Sequence, residues 1–266
     1  MPDFLYHDDA LVAVAKPAGR IVVPGRGAAA GERTLREDVA EALGRDVFVV
    51  HRLDRGTSGV LLFAVTAEAH RTMSMAFERH QIDKRYWGLC RGTLVGAGEV
   101  DRALVPIRGG KVRPARPGEA AGKPSVTAWR ALERFGGGEG GGAAGSGGGV
   151  AEGGADAGGS GRIAPAFTSV ELRPRSGRLH QVRAHLAVLG HPLAVDPDYG
   201  GAERLRAVDL DPRLEPPAAD ELVLARVPLH AERLRFRHPT DGKQLEIVAP
   251  LPLDLERAVA LLRRSP

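Results

Sequence analysis

Apolar side chains in this chain gather into short runs divided by polar turns, with a helical rhythm in three places. Val47-Phe48-Val49-Val50 and Val60-Leu61-Leu62-Phe63-Ala64-Val65 are short, β-branched and separated by a polar segment, which predicts two core strands. Residues 85–91 predict another strand, and Ser125-Val126-Thr127-Ala128-Trp129-Arg130-Ala131 and Phe167-Thr168-Ser169-Val170-Glu171-Leu172 two more. Leu35, Val39 and Leu43 recur on one helical face behind the capping sequence Thr34-Leu35-Arg36-Glu37, and Gly44 stops the pattern. Thr66 opens a second helix that turns Ala69, Met73, Ala76 and Phe77 inward. Leu179, Val182, Leu186 and Leu189 predict a third, with Arg178 at its start and Gly190 and Pro192 at its end. Strands interspersed irregularly with helices, without an internal repeat, predict an α+β fold.

The pattern fails over residues 136–161, a Gly/Ala/Ser/Glu tract with almost no large side chain. Such a segment buries too little apolar area to offset its ordering entropy. It is expected to be a flexible loop that expands a hairpin inside a single domain spanning residues 1–266. No apolar run approaches the roughly 20 residues needed to span a bilayer. The start, Met1-Pro2-Asp3-Phe4, is not that of a secretory signal. Cys90 is the only cysteine, which excludes an internal disulfide and a cysteine-rich zinc site. A cytoplasmic chain with no membrane partner is expected. The pI is about 9.6 and the formal net charge +4. Of the 37 basic residues 32 are arginine, which suits phosphate oxygens but also follows from GC-rich coding.

Two segments carry the candidate chemistry. The first, His51-Arg52-Leu53-Asp54-Arg55-Gly56-Thr57-Ser58-Gly59, sets a lone carboxylate in a turn between two core strands, where a scaffold positions chemistry rigidly. Asp54 there is either a catalytic acid or a turn residue bonding the amides of Gly56 or Thr57. The second runs Ser176-Gly177-Arg178-Leu179-His180-Gln181-Val182-Arg183-Ala184-His185 and on to Gly190-His191-Pro192. It supplies cations and polar groups able to ionise, orient and shield that acid. His180, His185, His191 and Asp196 also raise the alternative of a metal-dependent hydrolase, against which stands the five-residue spacing of His180 and His185 on a helix. A noncatalytic RNA-binding protein is a second alternative, without the aromatic pair or loop motif of the common modules.

These segments resemble the RluA-type pseudouridine synthase family. So do Leu11-Val12-Ala13-Val14-Ala15-Lys16-Pro17-Ala18-Gly19, Asp83-Lys84-Arg85-Tyr86-Trp87-Gly88, Leu229-His230-Ala231 and His238-Pro239, in the family's order across residues 4–255. The resemblance implies a long mixed, mostly antiparallel sheet bent around a central cleft, with flanking helices. It implies isomerisation of uridine to pseudouridine in structured RNA, tRNA or rRNA, with no cofactor and no metal. Asp54 corresponds to the catalytic aspartate, Arg178 to the arginine that pairs with it, and Tyr86 to the tyrosine that stacks on the flipped base. Arg52 corresponds to the residue that enters the duplex space left by that base. Val182 is expected beneath the base or in the helix core, and Lys16 at the site, on RNA phosphate or in a solvated turn. Leu179 departs from the family's usual Thr, and Val195-Asp196 from its Gly-Asp. The catalytic segment begins near residue 4, so a preceding RNA-binding domain is not expected, and a monomer is. The stretch His80 to Tyr86 is similar to the branch acting on tRNA.

Overall fold

The computed structural model describes residues 1–25, 29, 31–136 and 166–265. Most of the tract 136–161, and with it the expectation of a flexible loop, lies outside the described residues. In chain order the elements begin with β1 (Phe4–His7), β2 (Leu11–Lys16), α1 (Leu35–Leu43), β3 (Phe48–Val49), β4 (Ser58–Ala64), α2 (Ala67–Glu78) and β5 (Asp83–Arg91). Next come β6 (Ala97–Asp101), β7 (Leu104–Ile107), β8 (Lys111–Pro114), β9 (Val126–Phe135), β10 (Phe167–Pro174) and α3 (Gln181–Val188). The last are β11 (Leu205–Arg206), α4 (Ala207–Leu210), β12 (Leu222–Leu224), β13 (Leu229–Arg237), β14 (Gln244–Val248) and α5 (Leu253–Arg264).

Ten strands form one sheet along the order β1-β2-β4-β13-β5-β10-β9-β6, with β14 also on β13 and β3 on β4. Every pairing in it is antiparallel except β13 with β4. The expected mixed, mostly antiparallel α+β architecture is therefore present. The parallel contact joins distant parts of the chain, His230 opposite Ser58 and Ala231 opposite Gly59. It requires glycine at position 59, where φ is +120° and a Cβ would stand 2.2 Å from the Ala231 carbonyl oxygen. This contact fixes the strand that leaves the Asp54 turn.

Both predicted caps form. Thr34 accepts from Glu37 N–H while Glu37 bonds back to Thr34 N–H, and Gly44 closes α1 in the left-handed region. Thr66 Oγ1 accepts from Ala69 N–H at 3.1 Å to start α2. Helix α1 packs Leu35 and Val39 against Val12, Val14, Leu61 and Phe63, while α2 packs Ala69 and Met73 against Val60, Leu62 and Leu234. Consecutive residues of β4 thus face different helices, and all seven are buried, which explains an unbroken apolar run where alternation would otherwise appear. The run 47–50 yields only the two-residue β3. Among the described residues no helix is long and apolar enough to cross a membrane.

Three enclosed histidines make stability pH-dependent. His185 Nδ1 meets Thr127 Oγ1 at 2.9 Å and its Nε2 meets the Arg102 carbonyl at 3.0 Å. His230 is bonded similarly, to Ser58 Oγ at 2.9 Å and the Ala249 carbonyl at 3.1 Å. Burial lowers the pKa of both. Burial, with the Lys84 charge, lowers that of His51 to about 3. A folded pKa below the unfolded value of about 6.5 means that the unfolded chain takes up protons first. Stability is then fully present above about pH 6.5 and is lost as pH falls toward the folded values. The urea midpoint is expected to drop steadily between pH 7 and pH 5. A flat midpoint over that interval would show that these imidazoles are not held neutral.

Candidate active site

The turn carrying Asp54 is fastened from below. Lys16 Nζ, buried at 1% exposure, donates to the carbonyls of Pro17, Arg55 and Thr57 at 3.0, 3.2 and 2.8 Å. Gly19 N–H donates to the Arg55 carbonyl at 2.8 Å, and Thr57 N–H to the Asp54 carbonyl at 3.1 Å. Ser58 Oγ donates to His230 Nδ1, whose Nε2–H is committed to the Ala249 carbonyl. Leu53 is buried beside the α1 core. With its backbone held this way, the Asp54 carboxylate is pushed into a cleft of about 510 Å³ shared with Tyr86, Val182, Arg183 and His180. The side chain remains 25% exposed. Among the described residues no hydrogen bond to its carboxylate is formed, so the amides of Gly56 and Thr57 do not hold it as a turn aspartate.

Arg183 is an enclosed cation of this cleft. Its Nε and one Nη donate to the two carboxylate oxygens of fully buried Asp196 at 2.7 and 2.6 Å, and Asp198 lies 3.1 Å away. The guanidinium also stands 5.0 Å from the centre of the Tyr199 ring. Burial pulls the Arg183 pKa down. The hydrogen bonds and charge of Asp196, with the field of Asp54, outweigh that and leave it raised. Tyr86, on β5, has its phenol pKa raised by burial and then by Asp54, so it keeps its proton at neutral pH. It also packs with Leu172, Val182 and Leu229. Lys84 Nζ donates to the Ser176 carbonyl at 2.9 Å, its pKa lowered to about 8 by burial. That bond ties the strand carrying Tyr86 to the second segment.

The expected set is assembled only in part. Asp54, Tyr86, Arg52 and Val182 line one cleft. Arg178 lines it too but makes no ion pair with Asp54. It is exposed, its Nε 3.5 Å from the Pro124 carbonyl. The reason is local: α3 begins at Gln181, not at Arg178. Gln181 Oε1 takes the Arg178 N–H and the Ser176 hydroxyl, and its Nε2 donates to Val126 and Thr127. This leaves Arg178 on the rim. Lys16 is neither in the cleft nor able to reach RNA phosphate, because its ammonium is spent on three carbonyls inside the protein. Burial lowers its pKa to about 7 against the opposing pull of Asp54.

The pairing of Arg183 with Asp196 was not foreseen from the amphipathic reading of α3. That reading assumes one solvent-facing side, yet Gln181 through Leu186 are all buried. An arginine within such a stretch, with carboxylates at Asp196 and Asp198, was the available signal. The histidines raised for a metal site are separately engaged, His185 as above and His191 Nδ1 with the Arg91 carbonyl at 3.0 Å. Among the described residues no group of three or more His, Cys, Asp or Glu is placed to hold a metal ion.

Comparison with known proteins places this arrangement in context. A family model described as RNA pseudouridylate synthase matches residues 10–188. The chain is 35% identical over 252 residues to tRNA pseudouridine synthase C of Salmonella typhi, covering 94% of this chain and 86% of that protein. It is 31% identical over 270 residues to ribosomal large subunit pseudouridine synthase D of Xanthomonas campestris, covering 98% and 69%. Among solved structures, human RNA Pseudouridylate Synthase Domain Containing 4 is similar in fold, with a TM-score of 0.66 at 22% identity over 98% of this chain and 93% of that one.

Proposed function

Since the chain belongs to the RNA pseudouridylate synthase family, we propose that Asp54 is its catalytic aspartate, acting on a uridine of structured RNA, most closely a tRNA. The observation that carries this reading is the Asp54 carboxylate: presented into a cleft beside Tyr86, with its turn anchored by Lys16 and with no hydrogen bond of its own among the described residues. An acid so placed is available to substrate rather than spent on structure. The tRNA assignment follows the 35% identity to a tRNA pseudouridine synthase, with rRNA as the alternative raised by a second relative.

The reaction breaks the bond from N1 to C1′, turns the base and joins C5 to C1′; the C5 proton leaves to solvent and N1 takes one up. It is redox-neutral and needs no group donor. In this reading ionised Asp54 attacks ribose or base, or removes a ribose proton. Arg183 supplies positive potential beside it, a role taken over from Arg178. Tyr86 stacks on the extracted base with its hydroxyl protonated, and Val182 packs below. Arg52, exposed on the rim, fills the vacated duplex position, and Arg178 meets the RNA backbone. The chain is read as one catalytic domain and a monomer of the cytoplasm. Residues 136–161 join strands β9 and β10, which pair up to Phe135 opposite Phe167.

The direct test is to map pseudouridine in tRNA and rRNA from a strain lacking this protein. One or more positions should revert to uridine and be restored by the wild-type gene. No change at any position would sink the reading. Turnover is further expected to survive exhaustive treatment with EDTA, since every charge in the scheme is carried by side chains. Loss of turnover restored specifically by zinc would contradict it.

A further inference from the structure

Among the described residues only two non-glycine side chains have positive φ, His80 at 58° and His180 at 49°. Both line the Asp54 cleft. His80 has a plain backbone reason, because it follows α2 where Gln81 N–H closes on the Ala76 carbonyl. His180 has none of that kind. It sits before the first turn of α3 and makes no side-chain cap. A left-handed conformation is disfavoured for a side chain with a Cβ, and such outliers collect where surrounding structure enforces them for function.

What the conformation achieves is an approach to Asp54. His180 Nε2 lies 3.9 Å from Asp54 Oδ2, with the imidazole side chain 14% exposed. The other ring nitrogen, Nδ1, is 3.1 Å from the Tyr199 hydroxyl. That hydroxyl already accepts Val112 N–H at 3.0 Å, and its own hydrogen has no other acceptor among the described residues. The hydroxyl therefore donates to Nδ1, which leaves the imidazole proton on Nε2, facing Asp54. The Tyr199 ring meets the imidazole edge-on, with centroids 5.7 Å apart, and its position is fixed in turn by Arg183.

We propose that His180 is a positioning residue of the isomerisation, a neutral donor whose Nε2–H, oriented by Tyr199, holds one oxygen of Asp54 and leaves the other for substrate. This rests on the reading of the cleft given above. At 3.9 Å the contact is longer than a hydrogen bond, as is common before substrate closes a site. Arg183 commits its Nε and one Nη to Asp196 and Asp198 and forms no hydrogen bond to Asp54 among the described residues, whereas His180 turns an N–H toward the acid. Burial lowers the His180 pKa against the opposing pull of Asp54, which agrees with a neutral ring.

The test uses the full-length protein and bulk RNA from a strain lacking it, labelled with [5-³H]uridine, with tritium release as the readout. His180→Gly suits the backbone conformation, so its melting temperature should stay close to that of the wild type. Its kcat should nonetheless fall by roughly 10²-fold with little change in KM. His180→Gln, which restores an N–H at nearly the same reach, should recover about tenfold of that loss. Tyr199→Phe should lower kcat in the wild-type background but not in the His180→Gln background, because it acts only through the imidazole tautomer. Near-normal kcat in His180→Gly, absence of rescue by His180→Gln, or additive losses with Tyr199→Phe would each overturn the proposal. Failure of the wild-type protein to release tritium would instead overturn the reading of the cleft, and this inference with it.

Discussion

The Asp54→Asn protein is expected to fold and bind RNA much as the wild type does, and to release no detectable tritium from [5-³H]uridine RNA. The amide is nearly isosteric with the carboxylate. Because no hydrogen bond of the fold depends on the carboxylate among the described residues, its replacement removes little from the folded state. The turn is held by backbone carbonyls on Lys16, by Gly19 and by the Ser58–His230 bond, none of which involves the carboxylate. The amide is neither a competent nucleophile nor a base, so the chemistry should stop. RNA affinity should persist because arginine contacts to phosphate supply most of it. The product has the mass of the substrate, so tritium release or carbodiimide adducts read by primer extension must score the reaction. Release at the wild-type rate would overturn the central assignment. Loss of binding together with turnover would show that Asp54 has a structural role.

Arg183→Ala is expected to be the most damaging change on α3. It leaves Asp196, fully buried, without its bidentate partner. Breaking one side of a buried pair typically costs about 3–5 kcal/mol, a large share of the stability of an ordinary domain. It also removes the cation whose field reaches Asp54, so turnover should fall by about 10³-fold or more. The two effects separate in the double variant Arg183→Met/Asp196→Leu, which removes both charges together. Replacing a buried pair with apolar side chains is often close to neutral for stability, so the melting temperature should largely recover while turnover does not. Recovery of both would show that Arg183 serves only the fold. Arg178→Ala, by contrast, should leave the melting temperature unchanged and act mainly on KM, because the Arg178 side chain stands exposed on the rim and among the described residues bonds only the Pro124 carbonyl.

The segments that sequence reading handled well are those whose structure depends on near neighbours. The capping box at Thr34 and the Thr66 cap are local devices, and both form as the spacing predicts. The strands at 85–91, 125–131 and 167–172 were visible because short runs rich in aromatic or β-branched residues are distinctive. The core strand after Asp54 was visible as an apolar run, although its uniform burial between two helices hid its alternation. The start of α3 was misplaced by three residues. Apolar spacing alone drew Leu179 and Arg178 into the helix, whereas the left-handed backbone at His180 and the Gln181 side chain set the boundary.

By itself the sequence determined the acid and its turn, the strand bearing Tyr86, the α+β class and the family. Each of these is written in contiguous residues whose chemistry reads locally. Tertiary structure alone decided that Arg183 is enclosed in the Asp54 cleft with Asp196 as its partner, while Arg178 is left on the rim. Asp196 lies thirteen residues from Arg183, and the two meet because the chain after Pro192 folds back to form bridges from Leu193 to Cys90 and from Val195 to Ala202. It likewise decided that Lys16 is an internal fastening rather than an RNA contact, since the carbonyls of Arg55 and Thr57, in a turn distant along the chain, converge on it with that of neighbouring Pro17. Burial and electrostatic pairing depend on distances across the fold, and those distances are set by the packing of β4, β5 and β13 rather than by spacing along the chain.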